Sequence, residues 1–537
     1  MRWERKMQLA NHLFYGDNLD VLRAHVPDDS VDLIYLDPPF NSNANYNILF
    51  RSASGSESDA QVEAFEDSWH WNDAAEDAFD QVMHSGRSRA FDMLAAMRSF
   101  LGDNDMMAYL AMMAIRLIEL HRVLKATGSL YLHCDPTASH YLKLLLDSIF
   151  GADRFRNEIT WKRTAAHSDG GRYGRNTDIL LFYAKGPKPV WHPQFTPYEP
   201  DYAARFRNRD PDGRRWMDDN LTAKGLSGGG YDYEYRGVRS WWRMPVETMQ
   251  RLDREGRLHF TSKGGIRLKR YLDEARGMPV QALWSDIPAL NSQAQERLGY
   301  PTQKPIALLE RIIAASTNPG DIVLDPFCGC GTAIHAAQKL GRRWAGIDIT
   351  HLAISLIERR MQAAFPDLAL NVEGTPRDRA SAEDLARRDP YQFQWWAVAM
   401  IDAMPFAGRK KGPDGGIDGI IYFRPERQTT AKALVSVKGG EHVGVKMVRE
   451  LHSVMERERA PIGVMVSRCA PSAPMLREAA AVGRFHCEAT GRSYARLQIL
   501  TVDDLFDGKR PDIPLVDPAA AFRTAAREDA PAQPAML

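Results

Sequence analysis

The sequence is poor in cysteine, with five in 537 residues. So sparse and odd a set argues against a disulfide framework and for a reducing compartment, the cytoplasm. Cys328 and Cys330 stand two apart without a second pair, so zinc is not expected there. They read as small residues in a tight loop. No apolar run approaches the roughly 18 residues of a membrane span, so no membrane association is expected. The stretch Met1–Lys6 lacks the apolar segment of a signal peptide. There is no internal repeat, which argues against a solenoid or propeller. Net charge is also missing: 69 Lys and Arg balance 69 Asp and Glu. Global charge therefore does not announce a nucleic-acid partner.

What is present is ordinary for a globular chain: 44% hydrophobic and 26% charged residues. The length calls for two or three domains. Charge is uneven along the chain. Residues 151–290 carry 25 Lys and Arg against 18 Asp and Glu, a balance of +7. A moderately basic middle segment suits phosphate contacts, and ordinary surface variation would also produce it.

Short apolar runs that end in an acidic residue are the main pattern. They include Leu13–Asp17, Val31–Asp37, 321–325 and Arg343–Asp348. Such runs read as parallel strands covered on both faces. Helical spacing from Asn104 to Ala126, and helices over 138–149, 305–317, 332–340 and 351–364, complete a β-α-β alternation. The expected fold class is α/β, a doubly wound Rossmann-like sheet. Residues 41–90 are polar and acidic and read as a mobile loop with short helical pieces. Residues 185–290 break the rhythm. They are rich in Gly, Arg and aromatics, with Tyr231, Tyr233, Tyr235, Trp241 and Trp242 close together, and read as an inserted module.

Two strand ends carry chemistry. After Ile322-Val323-Leu324 comes Asp325-Pro326-Phe327-Cys328-Gly329-Cys330-Gly331-Thr332. Glycines after a strand let a ligand approach the backbone where the next helix starts. Asp325 can face a ligand amine, and Asp348, 17 residues after Gly331, stands where an acid commonly pairs with ribose hydroxyls. A purely structural turn would carry the same glycines. Strand, Asp, Phe, two Gly, helix, strand and Asp together favour a nucleotide-type cofactor.

The other strand end is Asp37-Pro38-Pro39-Phe40. An exocyclic amine on a nucleobase is a poor nucleophile, because its lone pair is delocalised into the ring. Two acceptors that take both N–H hydrogens localise that pair. The Asp37 carboxylate and the Pro38 carbonyl can supply them, with Pro38 and Pro39 fixing the backbone and Phe40 offering a stacking face. A base so treated must leave the duplex.

With the catalytic turn before the cofactor turn, residues 10–366 resemble the β-class amino-DNA methyltransferases. Tyr15-Gly16-Asp17-Asn18, Asp37-Pro38-Pro39-Phe40, Tyr300-Pro301-Thr302-Gln303-Lys304-Pro305 and Asp325–Thr332 carry the resemblance. It implies a permuted methyltransferase sheet, S-adenosylmethionine as cofactor and double-stranded DNA as partner. Thr302, Lys304, Asp325, Phe327, Gly329, Gly331, Thr332 and Asp348 would line the cofactor site. Lys304 would lie near the methionine carboxylate, and Asp17 near the target base or the cofactor adenine. Residues 185–290 would form the target recognition region. Asp at the first motif position favours adenine N6, with cytosine N4 as the alternative. Oligomeric state is open, a homodimer being one arrangement.

Residues 367–390 read as a linker and 517–537 as a disordered tail. Between them, 391–510 resembles a restriction-endonuclease-like domain of the Mrr type. Gly415-Gly416-Ile417-Asp418-Gly419 and the strand ending Val435-Ser436-Val437-Lys438 carry this resemblance. It implies Asp418 as a Mg²⁺ ligand beside Lys438, and with it a single-chain restriction-modification enzyme as a further alternative. Ser436 stands where an acidic residue or Gln is expected. Gln392 or Gln394 would replace the Glu sometimes found in the preceding helix. Each departure removes a carboxylate that Mg²⁺ prefers.

Overall fold

The computed structural model describes residues 11–39, 45–51, 57–66, 71–165, 171, 173–223, 229–290, 294, 296–298, 302–406, 416–423, 425, 431–488 and 490–514. Its centre is a nine-stranded sheet. The chain enters through β1 (His12–Tyr15), α1 (Asn18–His25) and β2 (Val31–Leu36). Helices α2 (Asp73–His84), α3 (Ser88–Leu101) and α4 (Asp105–Val123) follow. Then come β3 (Leu124–Cys134), α5 (Ser139–Phe150), β4 (Phe155–Lys162) and β5 (Thr177–Ala184). After an excursion the chain returns through β6 (Leu283–Trp284), α6 (Ile306–Ser316), β7 (Ile322–Asp325) and α7 (Thr332–Lys339). It finishes the sheet with β8 (Arg343–Asp348), α8 (His351–Ala364) and β9 (Asn371–Glu373).

The strand order is β6-β4-β5-β3-β2-β7-β8-β1-β9. Only β5 runs antiparallel to its neighbours; the remaining pairs are parallel. All of β2 and β7 is buried, as expected of strands covered on both faces. The register explains how a permuted chain closes. Leu324 pairs with Ile34, so β7 lies beside β2 although 288 residues separate Asp37 from Asp325. Next, Asp325 pairs with Gly346 and Asp348 with Tyr15. The ends of β2, β7, β8 and β1 thus stand side by side, each followed or closed by an aspartate: Asp37, Asp325, Asp348 and Asp17.

Three expectations need correction. Within 41–90, expected to be a mobile loop with short helical pieces, residues 73–84 form the full helix α2, and α3 starts at Ser88. Ala75, Ala78, Phe79 and Val82 form a buried stripe at helical spacing on α2, and Asn72 caps it by accepting from the Ala75 amide. Ala90, Leu94 and Met97 do the same on α3. Helix α4 ends at Val123, three residues earlier than expected, because β3 starts at Leu124 to pair with Val31. The segment 367–390, read as a linker, contains β9 and a helix Arg379–Arg388 started by a capping box at Asp378.

Residues 193–281 form a separate compact unit. An antiparallel sheet orders 258–260, 266–271, 215–220 and 208–209. A hairpin pairs Tyr231–Tyr235 with Val238–Trp242, and helix Val246–Arg254 follows. Alternation along the hairpin divides its aromatics. Tyr233, Tyr235 and Trp242 pack with Leu221, Met249 and Leu252, whereas Tyr231 and Trp241 are exposed. The cluster is thus partly a small core and partly a surface.

The C-terminal part builds a five-stranded sheet in the order 404–405, 419–423, 431–438, 462–467 and 497–501. Helix Val445–Arg457 crosses between the parallel strands Ala431–Lys438 and Ile462–Ser467. Helix Pro390–Met400 packs on α8, and Arg359 and Asp402 form an ion pair of 2.6 Å across this junction. No helix among the described residues is long and apolar enough to cross a membrane.

Candidate functional site

A cavity of about 270 Å³ opens at the ends of β2, β7, β8 and β1. Asp37, Pro38, Pro39, Asp17, Thr302, Lys304, Asp325, Phe327, Gly329, Thr332 and Asp348 all line it. Gly331 does not. It is the left-handed N-cap of α7 at φ 74°, and a Cβ there would meet Ile357 at 2.8 Å. Its part is to let the turn close beneath the cavity. Phe40 and Tyr300-Pro301 lie outside the described residues.

Each aspartate is held differently. Lys304 Nζ donates to Asp37 Oδ2, and both side chains are largely buried. Asp37 Oδ1 is buried with no hydrogen-bond partner among the described residues. A carboxylate with one oxygen fixed and the other unpaired is poised to accept from an incoming donor. The segment around Lys304 is clamped by Gln303, whose Oε1 accepts from the Leu298 amide at 2.7 Å. Its Nε2 donates to the Glu296 carbonyl at 2.6 Å.

Asp325 is 4% exposed and accepts from the Phe327 amide at 3.1 Å. Burial pushes its carboxyl well above the usual range, with the charges of Asp37 and Asp348 adding to the effect. Asp348 accepts from the Gly329 amide at 2.9 Å through one oxygen. Through the other it accepts from the Thr350 amide and hydroxyl, each at 2.9 Å. It therefore braces the glycine turn as well as facing the cavity. Burial raises its carboxyl to about 6. Asp17 caps α1 through the Leu19 amide at 2.7 Å and pairs with Arg116 at 2.6 Å.

Sequence reasoning missed Arg116, Tyr35 and Ile349, and it quoted Asn18 without giving it a role. Arg116 Nε donates to Asn18 Oδ1 at 2.6 Å, and Asn18 Nδ2 donates to the Pro326 carbonyl at 2.9 Å. This chain ties the start of α1 to the Asp325-Pro326-Phe327 turn. Arg116, set in the otherwise apolar stretch Met106–Ile118 of α4, was the available signal. Ile349 is 56% exposed, opens onto the cavity and offers an apolar face to a flat ring. Cys328 and Cys330 are free, buried thiols, raised by burial. They are packing residues of the turn.

This geometry agrees with the comparisons to known proteins. A family model described as DNA methylase, for N6 and N4 methyltransferases, matches residues 31–359. The chain belongs to this family. The methylase is 28% identical to the type II methyltransferase M.EcaI of Enterobacter cloacae over 363 residues, 66% of this chain and 70% of that protein. It is 30% identical to the type III restriction-modification enzyme StyLTI Mod subunit of Salmonella typhimurium over 360 residues, 63% of this chain and 51% of the subunit. Identity to the DNA adenine methyltransferase YhdJ of Escherichia coli is 25%, over 66% of this chain and 84% of that protein. Among solved structures, an M1.HpyAVI–SAM complex aligns at a TM-score of 0.31 and 15% identity, covering 65% of this chain and 98% of that one.

The C-terminal part of the methylase is a restriction-endonuclease-like domain. A model described as NACHT-associated inactive restriction endonuclease 1 matches residues 400–507. Asp418 immediately precedes the strand Gly419–Phe423 and Lys438 ends the strand Ala431–Lys438, but the surroundings of Asp418 do not fit a divalent cation. Gln394 Nε2 donates to Asp418 Oδ1 at 2.6 Å, and the Val437 amide donates to Oδ2 at 2.5 Å. Ser436 Oγ donates to the same oxygen at 3.3 Å. Donors stand where Mg²⁺ needs further oxygen acceptors. No cluster of three metal-ligating side chains occurs among the described residues.

Proposed function

We propose that this methylase transfers a methyl group from S-adenosylmethionine to adenine N6 in double-stranded DNA. The observation that carries the reading is Asp37: one oxygen held by Lys304, the other buried, unpaired among the described residues and belonging to the cavity wall. The cofactor supplies an electrophilic methyl group. The residues present suit it. Asp325 and Asp348 offer acceptors for an amine and for hydroxyls, the Gly329–Gly331 turn brings backbone close, and Ile349 offers an apolar face. Asp37 Oδ1 and the Pro38 carbonyl accept the two amino hydrogens of the target base. This localises the nitrogen lone pair and stabilises the charge that develops on it. The exposed Tyr231 and Trp241 and the basic character of the inserted unit suit contact with DNA.

Adenine is favoured over cytosine by Asp at the first motif position and by the similarity to YhdJ, named as an adenine methyltransferase. Cytosine N4 is the second reading, because the same pair of acceptors would serve that amine. Nucleoside mass spectrometry of DNA incubated with the protein and labelled S-adenosylmethionine tests both. Labelled N6-methyladenine is expected. Labelled N4-methylcytosine would replace the reading, and the absence of either on diverse DNA would overturn it.

A further inference from the structure

A row of buried polar side chains runs across the sheet from the cavity. Tyr35, near the end of β2, is 3% exposed and lines the cavity. Its hydroxyl lies 2.9 Å from Nδ1 of His133 on β3. Nε2 of His133 lies 3.1 Å from Oδ2 of Asp178 on β5. His133 is fully buried and Asp178 is 1% exposed. Trp161 on β4 closes the row, its ring edge-on to His133 with centroids 5.8 Å apart. The register dictates the row. Leu36 pairs with Leu132, which puts His133 level with Asp37, and Asp178 pairs with Trp161.

The partners fix the proton positions. Against the cost of burial, the hydrogen bond from His133 and the nearby charges, Lys304 and Arg163 among them, hold the Asp178 carboxyl below the usual range, with Arg163 Nη1 3.5 Å from Oδ1. A carboxylate only accepts, so the assignment that the row needs puts hydrogen on Nε2 of His133 and a lone pair on Nδ1. Tyr35 then donates its hydroxyl hydrogen to Nδ1. Its oxygen keeps two lone pairs as acceptors on the side away from His133. A tyrosine packed only for its ring would not need a histidine and a buried carboxylate behind it.

We propose that Tyr35, His133 and Asp178 form a proton-accepting row that takes the proton released when the target amine is methylated. The inference rests on the methyltransferase reading above. The amine lone pair forms the N–C bond, and the C–S bond breaks with its electron pair remaining on sulfur. As the N–C bond forms and the nitrogen becomes tetrahedral, the N–H that the Pro38 carbonyl had held passes its proton to Tyr35 Oη while the phenolic proton moves to His133 Nδ1. The imidazolium so formed is held by Asp178. When products leave, the proton returns by the reverse hop through Tyr35 to water in the emptied cavity. The net change is one S-adenosylmethionine and one amine converted to S-adenosylhomocysteine, a methylamine and a proton. Asp37 is left to orient the amine, its Oδ2 being occupied by Lys304. The charged and titratable groups facing the row are Asp37 on β2, Lys304 ahead of α6, Asp325 on β7, Cys330 in its turn and Arg163 beyond β4.

Single-turnover methyl transfer at saturating DNA and cofactor, followed from pH 5.5 to 9, tests the row. Tyr35→Phe should slow transfer on the order of 10²-fold and change the pH profile, while affinities for DNA and S-adenosylmethionine stay within a few-fold. Asp178→Asn reverses the histidine tautomer and should slow transfer similarly, and the double variant should be no slower than the worse single one. Nitrogen-15 NMR of histidine-labelled free protein should show His133 protonated at Nε2, shifting to Nδ1 in Asp178→Asn. Variants that transfer within threefold of wild type, with only a lower melting temperature, would overturn the row while leaving the methyltransferase reading intact. A wild-type protein that methylates no DNA sinks that reading instead, and the tautomer measurement still judges the row.

Discussion

Asp348 shows how one side chain serves both scaffold and site. Both of its oxygens accept from its own chain, and it still belongs to the cavity wall. Burial raises its carboxyl from 3.8 to about 6. Between those values the folded protein holds a proton that the unfolded chain has released. Stability therefore falls as pH rises from about 4 to 6, by an amount on the order of 2 kcal/mol, reduced by any water in the cavity. Asp348→Asn removes this dependence. The melting temperature of wild type minus that of the variant is expected to fall as pH rises from about 4 to 6 and to level off above. A difference that rises with pH would contradict the assignment. The acids at the strand ends were legible in the sequence because each closes a short apolar run. Their partners were not. Arg116, Asn18 and His133 acquire their roles only when strands and helices far apart in sequence become neighbours.

At the scale of elements, α2 and α3 carry the clearest lesson. Asp73, Glu76, Asp77 and Asp80 give the α2 sequence an acidic appearance, yet they lie on its solvent side, leaving Ala75, Ala78, Phe79 and Val82 for the core. Composition suggested a loop where periodicity would have given a helix. The short strands β6 and β9, of two and three residues, carry no period at all and come from pairing with β4 and β1. The longer buried strands and their helices were legible for the opposite reason. If α3 is a core helix, Leu94→Ala should destabilise the protein by about 2–5 kcal/mol in denaturant unfolding. A loop residue would cost less than about 0.5 kcal/mol.

At the scale of the whole molecule, a methylase sheet and an endonuclease-like sheet are joined through α8 and the helix Pro390–Met400. The helix that packs on α8 also supplies Gln394, the residue that donates to Asp418. The resemblance to a nuclease was visible in Gly416-Ile417-Asp418-Gly419 and Lys438, and so was the missing carboxylate at Ser436. The hydrogen bonds that saturate Asp418 were not. Unmodified DNA incubated with the protein and Mg²⁺ is expected to remain intact on gels, with Lys438→Ala indistinguishable from wild type. Cleavage abolished by Lys438→Ala would restore the nuclease reading.

The central proposal is that Asp37, fixed by Lys304, orients and activates the target amine and does not hold the cofactor. Single-turnover methyl transfer by Asp37→Ala, at concentrations where labelled S-adenosylmethionine is shown to be bound, tests it most directly. The expected result is a rate lower by about 10²–10³-fold or more with binding nearly unchanged. A rate close to wild type, or loss of cofactor binding together with activity, would contradict it.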